Sequence, residues 1–371
     1  MEIQLEEIKE GESRLLVPSL EVYKEPSKAP VFYNPKMAFD RSLSVKVLNE
    51  VLDSGAKVLD LLSATGARAI RYAKEGKQFS VWANDVKSTA IAIVKKNAEL
   101  NAVSIRTSID EANHFLLEKR AENFDCIDID PFGSPINFVF NASKAVRAKN
   151  GLICATATDP GALSGSFPRA CFRKYSYISH KTSMKHEIGL RGLIGSIFRE
   201  FAKNSLSIEP ILSYANIHYY RVFLRVMPGN KRVNRGLKKM GFISWCPKCD
   251  RRHVSGLWEE RAKNCDCGAD LIHIGPLWIG ELGDSTVIDT IKDKSMLFST
   301  LKEEIRLPFL HYNLHYLAKV NKVSCPKIAD IMAALRKEGY RVSRTHFNSN
   351  GIKTNASYDV ILKALQKLSK N

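Results

Sequence analysis

Between Lys57 and Thr158 the chain repeats one pattern: a short apolar run, a longer stretch with helical periodicity, then a short polar connection. Val58-Leu59-Asp60-Leu61-Leu62 predicts a buried strand and Ala67 to Lys74 a helix. Ser80 to Ala83 predicts a second strand, Lys87 to Leu100 a helix of good formers, Ser104 to Ile109 a third strand, and Ala112 to Lys119 a helix. Phe124 to Ile129 is apolar around two aspartates, Ile136 to Arg147 is helical, and Gly151 to Ala157 closes the series as a fifth strand. Strands alternating with helices at this spacing predict an α/β fold with a mostly parallel, doubly wound sheet. In such sheets ligands bind beyond the carboxyl ends of the strands, so the chemistry is sought there.

Past Ala157 the pattern loosens into Gly, Ser and basic residues as far as His186. A strand-rich stretch from Ile217 to Met227 then runs into Pro228-Gly229-Asn230-Lys231, a strong break signal. This divides residues 1–230 from a smaller α+β domain, 231–371, with helical periodicity around Ile328 to Leu335 and Val360 to Leu368. No internal repeat or low-complexity segment is visible.

The first strand ends in Asp60-Leu61-Leu62-Ser63-Ala64-Thr65-Gly66-Ala67-Arg68, where small residues let the backbone approach a ligand at a helix N-terminus. An ordinary strand-to-helix turn fits the same residues. The second strand ends in Asn84-Asp85, a carboxylate placed to accept ribose hydroxyls or, equally, to cap the next helix. The third ends in Asp110-Glu111-Ala112, suited to an adenine amino group. The fourth is the most specific: Asp130-Pro131-Phe132-Gly133-Ser134-Pro135. An exocyclic base amine is a poor nucleophile because its lone pair is delocalised into the ring. A carboxylate accepting its N–H aims it at a methyl donor, a proline sets the turn, and an aromatic ring stacks on the extruded base. A plain turn after a strand accounts for Pro131 and Gly133 but not for Asp130 and Phe132.

Charge changes the picture by naming a partner class. The 371 residues carry 56 Lys and Arg against 39 Asp and Glu, a net of +17, which favours a polyanion. From Lys231 onward there are 25 basic and 14 acidic residues, a net of +11, so the second domain holds most of the excess. Four of the eight cysteines cluster as Cys246-Pro247-Lys248-Cys249 and Cys265-Asp266-Cys267, the spacing of a zinc ribbon spanning about 242–274. Closed four-thiolate sites are structural, so Zn2+ is expected here without a catalytic role. His253 and His273 are expected to pack or face solvent. Neither a basic-then-apolar leader nor a bilayer-length apolar stretch stands in the sequence, so a cytoplasmic protein with no membrane association is expected. Near the end, Arg341-Val342-Ser343-Arg344-Thr345-His346-Phe347 suits phosphate contacts and base stacking, although composition alone favours a solvated basic loop.

With these residues in view, the chain resembles the tRNA (guanine-26-N2)-dimethyltransferase family in its archaeal form, over essentially its whole length. The likeness is carried by Val31-Phe32-Tyr33-Asn34-Pro35 with Met37 and Arg41, by Leu62 through Arg68, and by Asn84-Asp85. It continues through the Asp130 to Pro135 loop, Thr156-Ala157-Thr158-Asp159, Arg169-Ala170-Cys171 and Arg173-Lys174-Tyr175. Arg344-Thr345-His346-Phe347 and Gly351-Ile352-Lys353-Thr354 complete it. The resemblance implies a Rossmann-like methyltransferase domain that uses S-adenosylmethionine, followed by a tRNA-recognition domain. It implies that Arg41, Arg68, Asp85, Glu111 and Ala112 line the cofactor site. On the same basis Asp130 serves the target amine, with Pro131, Phe132 and Phe32 around the base. Asp40-Arg41-Ser42 departs from the family's Asn-Arg-Asp, and some relatives lack the four cysteines. The expected activity is transfer of two methyl groups to guanine-26 N2 of tRNA by a monomer with no obligate protein partner. The alternatives are a methyltransferase for adenine N6 or another guanine, and a non-catalytic zinc-ribbon RNA-binding protein.

Overall fold

The computed structural model of the protein describes residues 3–216 and 218–369. The chain opens with a hairpin of β1 (Leu5–Glu10) and β2 (Ser13–Pro18), and then helix α1 (Ala38–Val51). The alternating series follows as β3 (Lys57–Asp60), α2 (Ala67–Glu75), β4 (Ser80–Asp85), α3 (Ser88–Leu100), β5 (Ile105–Ile109), α4 (Ala112–Glu118), β6 (Cys126–Ile129), α5 (Ile136–Ala145) and β7 (Leu152–Ala157). The expected elements are all present, with ends shifted by a residue or two. The loosened stretch after them is helical: α6 (Pro160–Leu163), α7 (Pro168–Tyr175) and α8 (Lys185–Ala202). Two long strands close the sheet, β8 (Leu206–Ala215) and β9 (Tyr220–Pro228). The expected start of the second of these, Ile217, lies outside the described residues.

The seven strands run in the order β5-β4-β3-β6-β7-β9-β8. The first five are mutually parallel, and β9 pairs antiparallel with both β7 and β8. Helices cover both faces, so β6 and β7 are buried along their whole length and read as near-continuous apolar runs. Strand order reverses between β3 and β6, where Asp60 pairs in register with Asp128. A crevice opens at that point, above the carboxyl ends of both strands.

The remainder comprises α9 (Asn230–Leu237), an antiparallel sheet of β10 (Met240–Trp245), β11 (Arg252–Gly256) and β12 (Ile272–Trp278), then α10 (Ser285–Thr290) and α11 (Met296–Glu304). A last unit is made of β13 (Tyr312–Asn313), α12 (Leu314–Val320), α13 (Ile328–Lys337), β14 (Val342–Arg344), β15 (Gly351–Thr354) and α14 (Tyr358–Leu368). Gly229 does break the chain, but the apolar core crosses it. Ile243, Ile274, Leu277 and Trp278 share a cluster with Ile194 and Phe198 of α8, and Phe298 and Leu301 join Leu43 and Val47 of α1. A separate cluster begins only at Leu314 and takes in Leu335, Ile352, Ile361 and Leu365. Among the described residues no helix is long and apolar enough to cross a membrane.

Candidate active site

A cleft of about 770 Å³ lies at the strand-order reversal, bordered by the segments after β3, β4 and β6 and by residues 31–41. The turn from β3 into α2 forms its floor. Gly66 has φ 75° there, and an added Cβ would meet Val94 Cγ2 at 2.9 Å, so both conformation and packing demand glycine. Asp85 ties this turn to the end of β4: its Oδ2 accepts from Ala64 N and its Oδ1 from Lys87 N, both at 2.9 Å. Asp85 borders the cleft, and each of its oxygens has acceptor capacity beyond the one bond it makes here.

Asp130 follows β6 on the opposite wall. Arg68 Nη2 donates to Asp130 Oδ2 at 2.6 Å, and among the described residues no hydrogen bond is made to Oδ1. The same guanidinium donates to Asp40 Oδ2 at 2.8 Å and to Ser44 Oγ at 3.0 Å. Phe132 is 70 % exposed and meets Phe32 edge to face, ring centroids 4.6 Å apart. The loop between them is pinned from β7's end: Gly133 N donates to Thr158 Oγ1 at 2.6 Å, and Thr158 N donates to Gly133 O at 2.9 Å.

Behind Asp130 lies a fully buried ionic network. Arg221 of β9 is bidentate to Asp128, at 2.8 and 2.6 Å, and Tyr72 Oη donates to Asp128 at 2.6 Å. Tyr214 Oη donates to Asp40 at 2.5 Å. Burial pushes both carboxyls up, but Arg221 and Arg68 outweigh it and hold Asp40 and Asp128 below the usual carboxylate range. Among the described residues Asp60 forms no ion pair. Burial pushes it up to about 7; Arg68 pulls it down, and the charges of Asp128 and Asp130 push it back up. Two arginines thus hold several carboxylates around one point of the cleft. Removing either cation would leave buried charge uncompensated.

The family model of N2,N2-dimethylguanosine tRNA methyltransferases matches residues 11–366. The chain belongs to this family. It is 36% identical to the tRNA (guanine(26)-N(2))-dimethyltransferase of Thermococcus kodakarensis, over 99% of this chain and 100% of that protein. It is 37% identical to the enzyme of the same name from Sulfurisphaera tokodaii, over 98% and 100% of the two chains. Its fold matches Trm1 from Pyrococcus horikoshii in complex with S-adenosyl-L-methionine at a TM-score of 0.87, with 33% identity over 98% of this chain and 100% of that one.

The geometry sorts the residues that this family resemblance singled out. Arg68, Asp85, Asp130, Pro131, Phe132 and Phe32 all border the cleft. Arg41 borders it too, but its guanidinium is held by Glu10, with Nε to Oε1 at 2.7 Å and Nη2 to Oε2 at 2.5 Å. Glu111 and Ala112 lie beyond the cleft's lining: Glu111 caps α4 through His114 N, and Ala112 is in the core. Asp110 bonds His114 Nδ1 at 2.8 Å. Of the departing triplet, Asp40 joins the buried network and Ser42 Oγ accepts from Arg71 Nη1 at 2.8 Å. Asp40, Asp60, Asp128, Tyr214 and Arg221 escaped sequence reasoning as site residues. Two aspartates inside an apolar run were the signal for Asp128; nothing local marks Arg221.

The basic run near the C-terminus is not a solvated or RNA-facing loop as a whole. Thr345, Phe347 and Lys353 are buried. His346 Nδ1 bonds Glu304 and its Nε2 accepts from Ala215 N at 3.0 Å. Lys353 reaches Glu187 at 3.2 Å. The motif fastens the last unit to α8, α11 and the end of β8; only Arg341 and Arg344 remain exposed.

The four ribbon cysteines converge, with Sγ atoms all within 4.8 Å of one another. Cys246 and Cys267 are 3.5 Å apart and Cys249 and Cys265 3.6 Å. A tetrahedral ion with zinc–sulfur bonds of about 2.3 Å needs sulfur–sulfur edges of about 3.8 Å, so the set fits Zn2+. His273 bonds Ser244 Oγ instead, at 2.9 Å.

Proposed function

We propose that this cleft carries two methyl groups from S-adenosylmethionine to the exocyclic N2 of guanine 26 in tRNA, with Asp130 receiving the target amine. The observation that carries this is Asp130: anchored through Oδ2 by Arg68, open at Oδ1, and flanked by two aromatic rings at the mouth of the cleft. Arg68 keeps the carboxylate aimed without consuming the oxygen that accepts the amine N–H. Phe132 and Phe32 offer faces for a base taken out of its stack. Asp85 and the turn at Ala64 to Gly66 suit the nucleoside end of the cofactor, in a cleft of ordinary ligand size. When bound, S-adenosylmethionine supplies an electrophilic methyl whose leaving thioether needs no acid. The protein's share is alignment, and placement of negative charge where the amine becomes positive. The methylated amine releases one proton to solvent after the first transfer, one N–H remains, and Oδ1 can accept it again.

Cys246, Cys249, Cys265 and Cys267 hold one structural Zn2+ in this reading, and its part is to brace the ribbon. Nucleoside mass spectrometry of unmodified tRNA treated with the protein and cofactor should show N2,N2-dimethylguanosine at position 26. Methylated adenosine instead would favour the alternative base-amine reading. Asp130→Ala should lose at least about a hundredfold in turnover, the scale of removing one positioned polar group. Wild-type turnover by that variant removes Asp130 from the chemistry.

A further inference from the structure

Two motifs, Arg169-Ala170-Cys171 and Arg173-Lys174-Tyr175, play no part in the chemistry above, and both lie on α7. The helix buries Cys171 and Tyr175 and turns Arg169, Phe172 and Arg173 to solvent. Their i, i+3, i+4 spacing places these three on one face. Phe172 is 61 % exposed, and Phe167, just ahead of the helix, is 64 % exposed. Phe167 is nonetheless held: its ring covers Gly161, where an added Cβ would come within 3.0 Å of it. Among the described residues neither Arg169 nor Arg173 has an acidic partner, so their charges are uncompensated within the chain.

The far side of the helix is fastened to the catalytic loop. Lys174 Nζ donates to Asp159 Oδ2 at 2.8 Å, and Tyr175 Oη donates to the other oxygen of the same carboxylate. Asp159 directly follows Thr158, which clamps Gly133. Lys174 itself borders the cleft. The exposed ring of Phe172 therefore stands on a helix that is tied, through Asp159 and Thr158, to the loop that carries Phe132.

Large apolar rings left in water beside unpaired guanidinium groups mark a binding surface rather than a stabilising one. An apolar protein partner would leave the arginines unmatched. A nucleic-acid strand offers both complements at once, phosphates for Arg and base faces for Phe. We propose that the outer face of α7, with Phe167, is a platform that grips the RNA strand next to the target base. In it Arg169 and Arg173 contact phosphates, and Phe172 stacks on an exposed base. This rests on the tRNA methyltransferase reading. It places part of the RNA grip beside Asp130, apart from the basic region beyond Lys231.

The test uses the full chain and a tRNA transcript, titrated by fluorescence anisotropy between 50 and 200 mM salt. Cofactor affinity is measured in parallel by calorimetry with S-adenosylhomocysteine. Arg169→Ala/Arg173→Ala should flatten the slope of log K against log salt by about 1.4 to 1.8, at roughly 0.7 to 0.9 per phosphate contact. Phe172→Ala should weaken tRNA binding about 5- to 150-fold, the range for loss of one stacked base. Both variants should bind S-adenosylhomocysteine as wild type does, which shows that they are folded. Wild-type tRNA affinity and salt slope in the arginine variant, or wild-type affinity in Phe172→Ala, overturns the platform. A wild-type protein that binds tRNA but forms no N2-methylated guanosine overturns the underlying reading instead.

Discussion

Glu187 of α8 is fully buried, and its replacement by alanine tests whether the C-terminal motif is a fastening. The carboxylate accepts from Arg191 Nε at 3.1 Å and Nη2 at 2.9 Å, from Leu310 N at 3.2 Å, and from His311 N and Nδ1, each at 2.9 Å. Lys353 adds an ion pair at 3.2 Å. Burial pushes this carboxyl up, yet Lys353, Arg191 and His311 prevail and hold it well below the usual range. Arg191 keeps two carbonyl acceptors in Glu187→Ala, those of Trp278 and Gly280, whereas Lys353 loses its ion-pair partner. Breaking a buried pair this way costs about 3–5 kcal/mol. Unfolding entropy of about 2.1 cal/mol/K per residue comes to roughly 0.8 kcal/mol/K for a chain of this length, so Tm should fall by about 4–6 °C. A depressed carboxyl pKa stabilises the fold above the ordinary value of 4.5, and that stabilisation is lost as pH falls below it. The gap in Tm between wild type and variant should therefore hold across neutral pH and narrow in acid. Thermal unfolding followed by circular dichroism reads this directly. A Tm within about 1 °C of wild type at pH 7 would show that the buried pair holds nothing together.

Two further outcomes follow from the site and the ribbon. Purified protein should contain about one zinc per chain by elemental analysis, and Cys246→Ser should lose it while keeping affinity for S-adenosylhomocysteine; equal zinc in both proteins rules out the four-cysteine site. Asp60, held at about 7, makes the fold less stable as pH rises from 3.8 to about 7, by roughly 4 kcal/mol in all, because the unfolded carboxyl ionises first. Asp60→Asn removes that loss, so its stability relative to wild type should be greater at pH 8 than at pH 4. Equal differences at the two pH values would mean that Asp60 titrates normally.

The alternating half of the fold was legible because each parallel strand is buried on both faces and each helix on one, so local patterns carry the topology. The segment from Pro160 to Ala202 was not. Its helices are short and charged, as in α7, or buried nearly all round, as in α8, where Arg191 and Glu187 satisfy each other inside the core. At eight residues α7 is too short for periodicity to set it apart from a loop, and α8 lacks the one-sided apolar stripe that periodicity detects. The Asp130 loop was visible because acid, proline and aromatic stand consecutively. Its partner Arg68 was visible only through family resemblance, and the resemblance placed it at the cofactor rather than on Asp130.

Sequence alone determined the fold class, the four clustered cysteines and the family. All of these depend on neighbours along the chain or on motifs of a few residues. Tertiary structure decided which charges meet. Arg221 reaches Asp128, Arg68 reaches Asp40 and Asp130, and Lys353 reaches Glu187, pairings between residues 28 to 166 positions apart that no local pattern encodes. It also redistributed the +17. Part of the basic run near the C-terminus is spent inside the protein on buried carboxylates, where desolvation makes pairing obligatory. Among the described residues, arginines without an acidic partner stand instead on α7, which borders the cleft through Lys174.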